Sequence, residues 1–224
     1  MIFLYETLGI NIPILSDKMN AIVVEDKMMF SHMVQDLWKQ TKGLEGQISI
    51  SETDKKLNIA KDIICIINPF DISLNDKKII TQIYKELHII GSQELIEQKT
   101  RMNQNIIDYF DLLISRSPYP LNFNFDIDEI GLYKLCHLEF QNDNEEILDS
   151  VTEYIKLFKS VCNIKLFIFV SLKSFLTREQ YQLLYDTIKY EEVCLLDISN
   201  AHEYSIDDEK GYIIDKDLCI IELN

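Results

Sequence analysis

Between Asp126 and Glu153 the chain carries nine acidic residues and one lysine, Lys134. Oxygen ligands gathered in a loop suit a hard cation such as Ca²⁺, which takes about six to eight of them. Asp126, Asp128 and Glu129 are the sharpest group, because they fall where a loop should enter a helix. The same placement suits a plain acidic helix entrance, where carboxylates complement the positive end of the helix dipole. Spacing alone favours that plainer account. An EF-hand is excluded: Ile130 and His137 stand where the fifth and last positions of the loop need ligands. A carboxylate-metal phosphodiesterase could use the same three residues, but it also needs positioned Lys, His or Arg groups, and none is recognisable nearby.

The other reactive residue types do not assemble. His32, His88, His137 and His202 make no HExxH pattern. Adjacent Cys136 and His137 would diverge by about 100° on a helix, which argues against a Cys–His nucleophile pair. Cys65, Cys136, Cys162, Cys194 and Cys219 show no CxxC spacing, and Cys65, Cys194 and Cys219 lie in apolar runs, as buried reduced thiols would. The six glycines, at 9, 43, 46, 91, 131 and 211, are never spaced for a phosphate loop, a dinucleotide fingerprint or a nucleophile elbow. No catalytic residue is assigned, and a non-enzyme is expected. Trp38 and its methionine neighbours could stack bases, yet their helical spacing argues for core packing. Lys55, Lys56 and Lys61 cluster before an apolar run at Ile63. Alone they are solvated charges; symmetry could gather several copies around one opening.

These residues need a scaffold. Strand-sized apolar runs occur at Ile2–Tyr5, Ala21–Val24, Ile63–Ile67, Leu166–Val170 and Val193–Leu196. The last three are nearly continuous, as strands of a parallel sheet covered on both faces should be. Helix signals alternate with them. Asp26 precedes an amphipathic stretch with Met29, Phe30, Met33, Val34, Leu37 and Trp38 on its apolar positions, Thr177 and Gln180 form a capping box, and Asp143 with Glu146 opens another helix. From about Leu74 to Ser115 the chain reads as helix, with a turn signal only at Gly91–Ser92, and SerProTyrPro at 117–120 ends it. A further helix is expected over Asp128–Phe140, and two short strands around Asp215–Asp217 near the end. The layout is an α/β head made from residues 1–72 and 143–224, with a mostly parallel sheet, interrupted by an α-helical leg at 73–142.

The chain has 224 residues, 47% hydrophobic, enough for a sizeable core. No apolar run approaches the ~20 residues of a membrane span, and the N-terminus lacks the basic region of a secretory signal. A cytoplasmic protein is expected. The net charge of −15 speaks against nucleic acid as an average, although a local basic surface can coexist with it. That charge would also suit an acidic protein–protein adaptor.

Three blocks carry a resemblance to a known family: IleValValGluAspLysMetMetPheSerHisMetValGln at 22–35, LysLeuPheIlePheValSerLeuLysSerPheLeuThrArgGluGln at 165–180, and TyrIleIleAspLysAspLeuCysIleIle at 212–221. Their order and separation resemble those of the CRISPR-associated Csn-two family, the spacer-acquisition protein of type II-A systems. The resemblance implies a head related to P-loop ATPases but without the phosphate loop, and an inserted helical leg. It implies a homotetrameric ring that takes up double-stranded DNA ends without sequence preference, stabilised by calcium. It also implies partnership with the CRISPR integrase proteins and the effector nuclease. The family's acidic segment corresponds to 126–130, which makes Asp126, Asp128 and Glu129 the calcium candidates. Lys134 stands near the place of a further acidic residue. The family's lysine-rich stretch falls at Lys55, Lys56 and Lys61, the candidate DNA-facing residues.

Overall fold

The computed structural model of the protein describes residues 1–16, 18–53, 55–141 and 146–223. Two compact units emerge, residues 1–74 with 142–224, and residues 75–141.

In the first unit, two sheets share a core. β1 (Ile2–Tyr5), β2 (Ile10–Pro13), β4 (Ile48–Glu52) and the two-residue β5 (Lys55–Lys56) form a small antiparallel sheet in the order β2-β1-β4-β5. The larger sheet uses β3 (Met19–Val24), β6 (Ile63–Ile66), β7 (Leu166–Val170), β8 (Cys194–Ser199), β9 (Glu209–Ile214) and β10 (Ile220–Leu223), in the order β10-β9-β3-β8-β7-β6. All its pairings are parallel except β9 with β10. Every residue of β3, β7 and β8 is buried, as continuous apolar runs require when both faces are covered.

Side chains on one face of this sheet, including Ile22, Val24, Ile168 and Leu196, join Phe3, Ile12, Ile48 and Ile50 of the small sheet in one core. Met29, Met33 and Leu37 of α1 (Lys27–Thr41) complete it. The alternate residues, such as Phe167, Phe169 and Leu195, are buried on the other face. There α6 (Ile147–Cys162) packs with α7 (Arg178–Tyr190), which also contacts β8. The capping box of Thr177 and Gln180 starts α7 as expected. Glu146 is the N-cap of α6; Asp143 lies outside the described residues.

The second unit is helical. α3 (Lys77–Gln93) runs through Gly91 and Ser92, so the turn expected there lies three residues later, at Glu94–Leu95. α4 (Ile96–Ser115) ends just before the proline-containing segment. α5 (Glu129–Leu135) is shorter than the expected 128–140, because His137 takes a positive φ of 50° and breaks it. Asn75 holds the following segment with both arms of its amide, donating to the Phe140 carbonyl at 3.0 Å and accepting from the Phe140 N–H at 2.8 Å.

Candidate functional site

The junction between β3 and α1 is a short strand-to-helix connection in the larger sheet. β3 reaches α1 through only Glu25 and Asp26. Asp26 is the N-cap of α1, and its carboxylate accepts the Met29 N–H at 2.8 Å. A phosphate bound at a helix N-terminus would use such free N–H groups and the positive dipole end. Here a carboxylate already occupies that position, and Glu25 adds a second negative charge. The absence of loop glycines thus has a structural counterpart: the junction is too short and carries the wrong charge to cradle phosphate.

The three candidate lysines separate. Lys55 and Lys56 make up β5, paired to Glu52 and Ser51 of β4. Lys56 forms an ion pair with Glu6 at 3.6 Å. Lys61 lies in α2 (Ile59–Asp62), a single turn capped by the Asn58 side chain. Lys55 and Lys61 line one cavity of about 290 Å³, and Lys165 joins them there. All three are exposed, and none is in an ion pair among the described residues. Glu52 and Asp62 also line the cavity, so lysine side chains outnumber carboxylates there by three to two. Sequence reasoning missed Lys165 because it stands 104 positions after Lys61. The parallel register Ile63↔Leu166 brings the starts of β6 and β7 side by side and delivers it.

The three candidate calcium ligands do not form a cage. Asp126 and Asp128 are exposed, whereas Glu129 is buried. Asp128 holds the N-cap position of α5 without a side-chain capping bond, and its carboxylate lies over Gly131, where a Cβ would come within 2.9 Å of it. Glu129 accepts from His88 Nδ1 at 2.7 Å through Oε2, and its Oε1 is ion-paired with Lys99. The Lys99 hydrogen bond holds the Glu129 carboxyl below the ordinary carboxylate range, with His88 acting the same way. Among the described residues no three His, Cys, Asp or Glu side chains come together in a group able to hold a metal ion. A lysine ammonium on one oxygen and an imidazole nitrogen on the other leave the only buried member a poor fit to calcium, which needs those oxygens free.

A buried polar cluster lies in the first unit. Ser171, in the left-handed region at φ 57°, turns the chain after β7. Asp197 of β8 accepts the Leu172 N–H at 2.9 Å and the Lys173 N–H at 3.3 Å. Burial pushes its carboxyl up to about 6, against the lowering effect of those two N–H groups and of Lys173. Lys173 Nζ is ion-paired with Glu209 and donates to the Tyr204 carbonyl at 2.8 Å, with the Tyr181 and Tyr204 rings around it. The cluster ties the turn after β7 to β8 and β9; it is sealed in the interior and reads as structural.

Two further expectations need correction. Trp38 is 47% exposed, with Lys42 Nζ 4.2 Å over its ring, so it is not a core residue; the buried stripe of α1 ends at Leu37. Cys219 is exposed at the β9–β10 turn although it sits in an apolar run, whereas Cys194 is buried and burial pushes the Cys65 thiol up to about 12.

Fold and site together define an α/β protein with an inserted helical unit and a strand-to-helix junction that lacks a phosphate loop. The family model of the CRISPR-associated protein (Cas_Csn2) matches residues 40–218, and the chain belongs to that family. No curated protein matches it by sequence. No helix among the described residues is long and apolar enough to cross a membrane.

Proposed function

We propose that this CRISPR-associated protein is a non-catalytic binder of double-stranded DNA ends, working as a homotetrameric ring in spacer acquisition alongside the integrase proteins and the effector nuclease. The observation that carries the DNA part is the cavity where Lys55, Lys61 and Lys165 converge, none of them in an ion pair among the described residues. In a chain of net charge −15, a local excess of ammonium groups is where a phosphate backbone would be tolerated. Contacts of this kind position DNA without reading bases. Acidic surface elsewhere would discourage binding at any other place. Lys56 contributes less, since Glu6 already neutralises it.

Self-association draws support from α4. None of its 20 residues is buried, yet Ile96, Tyr109, Phe110, Leu112 and Leu113 are large, apolar and exposed. Beyond its contacts with α3 and α5, a helix this long leaves apolar surface to be covered, and a symmetric second copy would supply the same apolar residues in return.

Mobility shifts with linear and closed-circular duplex of the same sequence test the proposal. Linear DNA should shift and circles should not. Each phosphate contact removed flattens the log–log salt dependence by roughly one unit, so K61Q and K165Q should each do so, and K56Q should do so less. Equal binding to circles, or no binding at low salt, would overturn it.

A further inference from the structure

Glu129 is the single carboxylate that gathers three helices of the 75–141 unit. It is the first residue of α5, His88 comes from α3 and Lys99 from α4. Its side chain is 9% exposed, against 34% for Lys99 and 46% for His88, so the carboxylate is the buried hub and its two nitrogen partners reach in from the rim. Tyr133, one turn further along α5, packs its ring 5.6 Å from that of Tyr84 on α3. Gly91 of α3 faces the same group with room to spare: a Cβ there would stand 3.6 Å from the Tyr133 hydroxyl and 3.9 Å from Glu129 Oε2, ordinary contact distances. Both carboxylate oxygens are therefore occupied by nitrogen, and the charge of Glu129 is balanced by Lys99 alone before His88 is considered. A divalent cation bound here would have to displace Lys99 or sit beside its positive charge, and Asp126 and Asp128, both exposed, are not assembled around it.

We propose that Lys99 is the resident cation of Glu129, standing where the family resemblance would put calcium. The α3–α4–α5 clasp then closes with no divalent metal, and Glu129 is a positioning residue of the helical unit. This holds whether or not the chain binds DNA, and its test does not use DNA.

Helical circular dichroism on melting, limited proteolysis of the full chain and calorimetric calcium titration together decide it. Any difference between the wild-type melts in millimolar calcium and in chelator should be the same in E129Q. K99M leaves a buried carboxylate with one partner fewer and should raise the rate of cleavage within 75–141 by ~10- to ~100-fold, discounted for the partial exposure of Lys99. K99R should restore most of the protection. K99M/E129Q should be better protected than K99M, since the uncompensated charge is gone; this comparison also serves if K99M alone fails to fold. A calcium response that survives E129Q unchanged supports the proposal, because Glu129 is then not the ligand. A wild-type midpoint that falls on chelation and becomes insensitive in E129Q overturns it, as does a K99M variant cleaved no faster than wild type.

Discussion

Replacing Lys173 by methionine should be among the most damaging single changes in the 1–74/142–224 unit. The Lys173 and Glu209 side chains are only 7% and 3% exposed, so neither charge has water to fall back on. Methionine keeps the length and the contact with Tyr181 and Tyr204 but removes the ammonium. Among the described residues the Glu209 side chain then keeps the Ile206 N–H alone, at 3.0 Å, and the Tyr204 carbonyl loses its Lys173 donor. Breaking a buried pair by deleting one partner costs about 3–5 kcal/mol. That is a large share of a typical total of about 5–15 kcal/mol. At roughly 2–4 °C per kcal/mol for a chain of this size, the melting midpoint should fall by about 6–20 °C. Calorimetry on wild type, K173M, E209Q and K173M/E209Q measures it. The double variant should recover at least half of the K173M loss, since the amide oxygen introduced by E209Q still accepts from the Ile206 N–H while no charge remains unpaired. A K173M cost below about 1 kcal/mol, or strictly additive costs, would refute the claim that the pair is buried and coupled.

Two further predictions concern titration and helix propensity. The Asp197 carboxyl, raised to about 6 by burial, holds its proton more tightly in the folded chain than in the unfolded one. It therefore contributes stability below about pH 4 that is lost as pH rises through about 6, on the order of 3 kcal/mol; the wild-type minus D197N difference in melting midpoint across pH 4–7 isolates it from carboxylates that titrate in the opposite sense. Gly91 lies inside α3 with room for a methyl group, so G91A should raise the urea midpoint by about 0.5–1 kcal/mol equivalent, whereas G91L should lower it by pressing on Tyr133 and Glu129.

Much of this architecture is legible in local chemistry. Continuous apolar runs marked β6, β7 and β8 as buried strands, because a strand covered on both faces has no polar side to show. Asp26 and Thr177 announced their helices, since capping is satisfied within three residues of the cap. Strands β2 and β4 were not legible: Ile10–Pro13 and Ile48–Glu52 are short and interrupted by polar residues on their outer face, and become strands only by pairing with β1. Trp38 misled because helical spacing defines a stripe but not where the neighbouring layer ends. What only the tertiary structure decided is which charges meet. Sheet register brought Lys165 to Lys55 and Lys61, helix packing brought Lys99 and His88 to Glu129, and chain crossing buried Lys173 against Glu209. Each of these contacts joins residues from separate elements, and no local rule of spacing or propensity reaches across that distance.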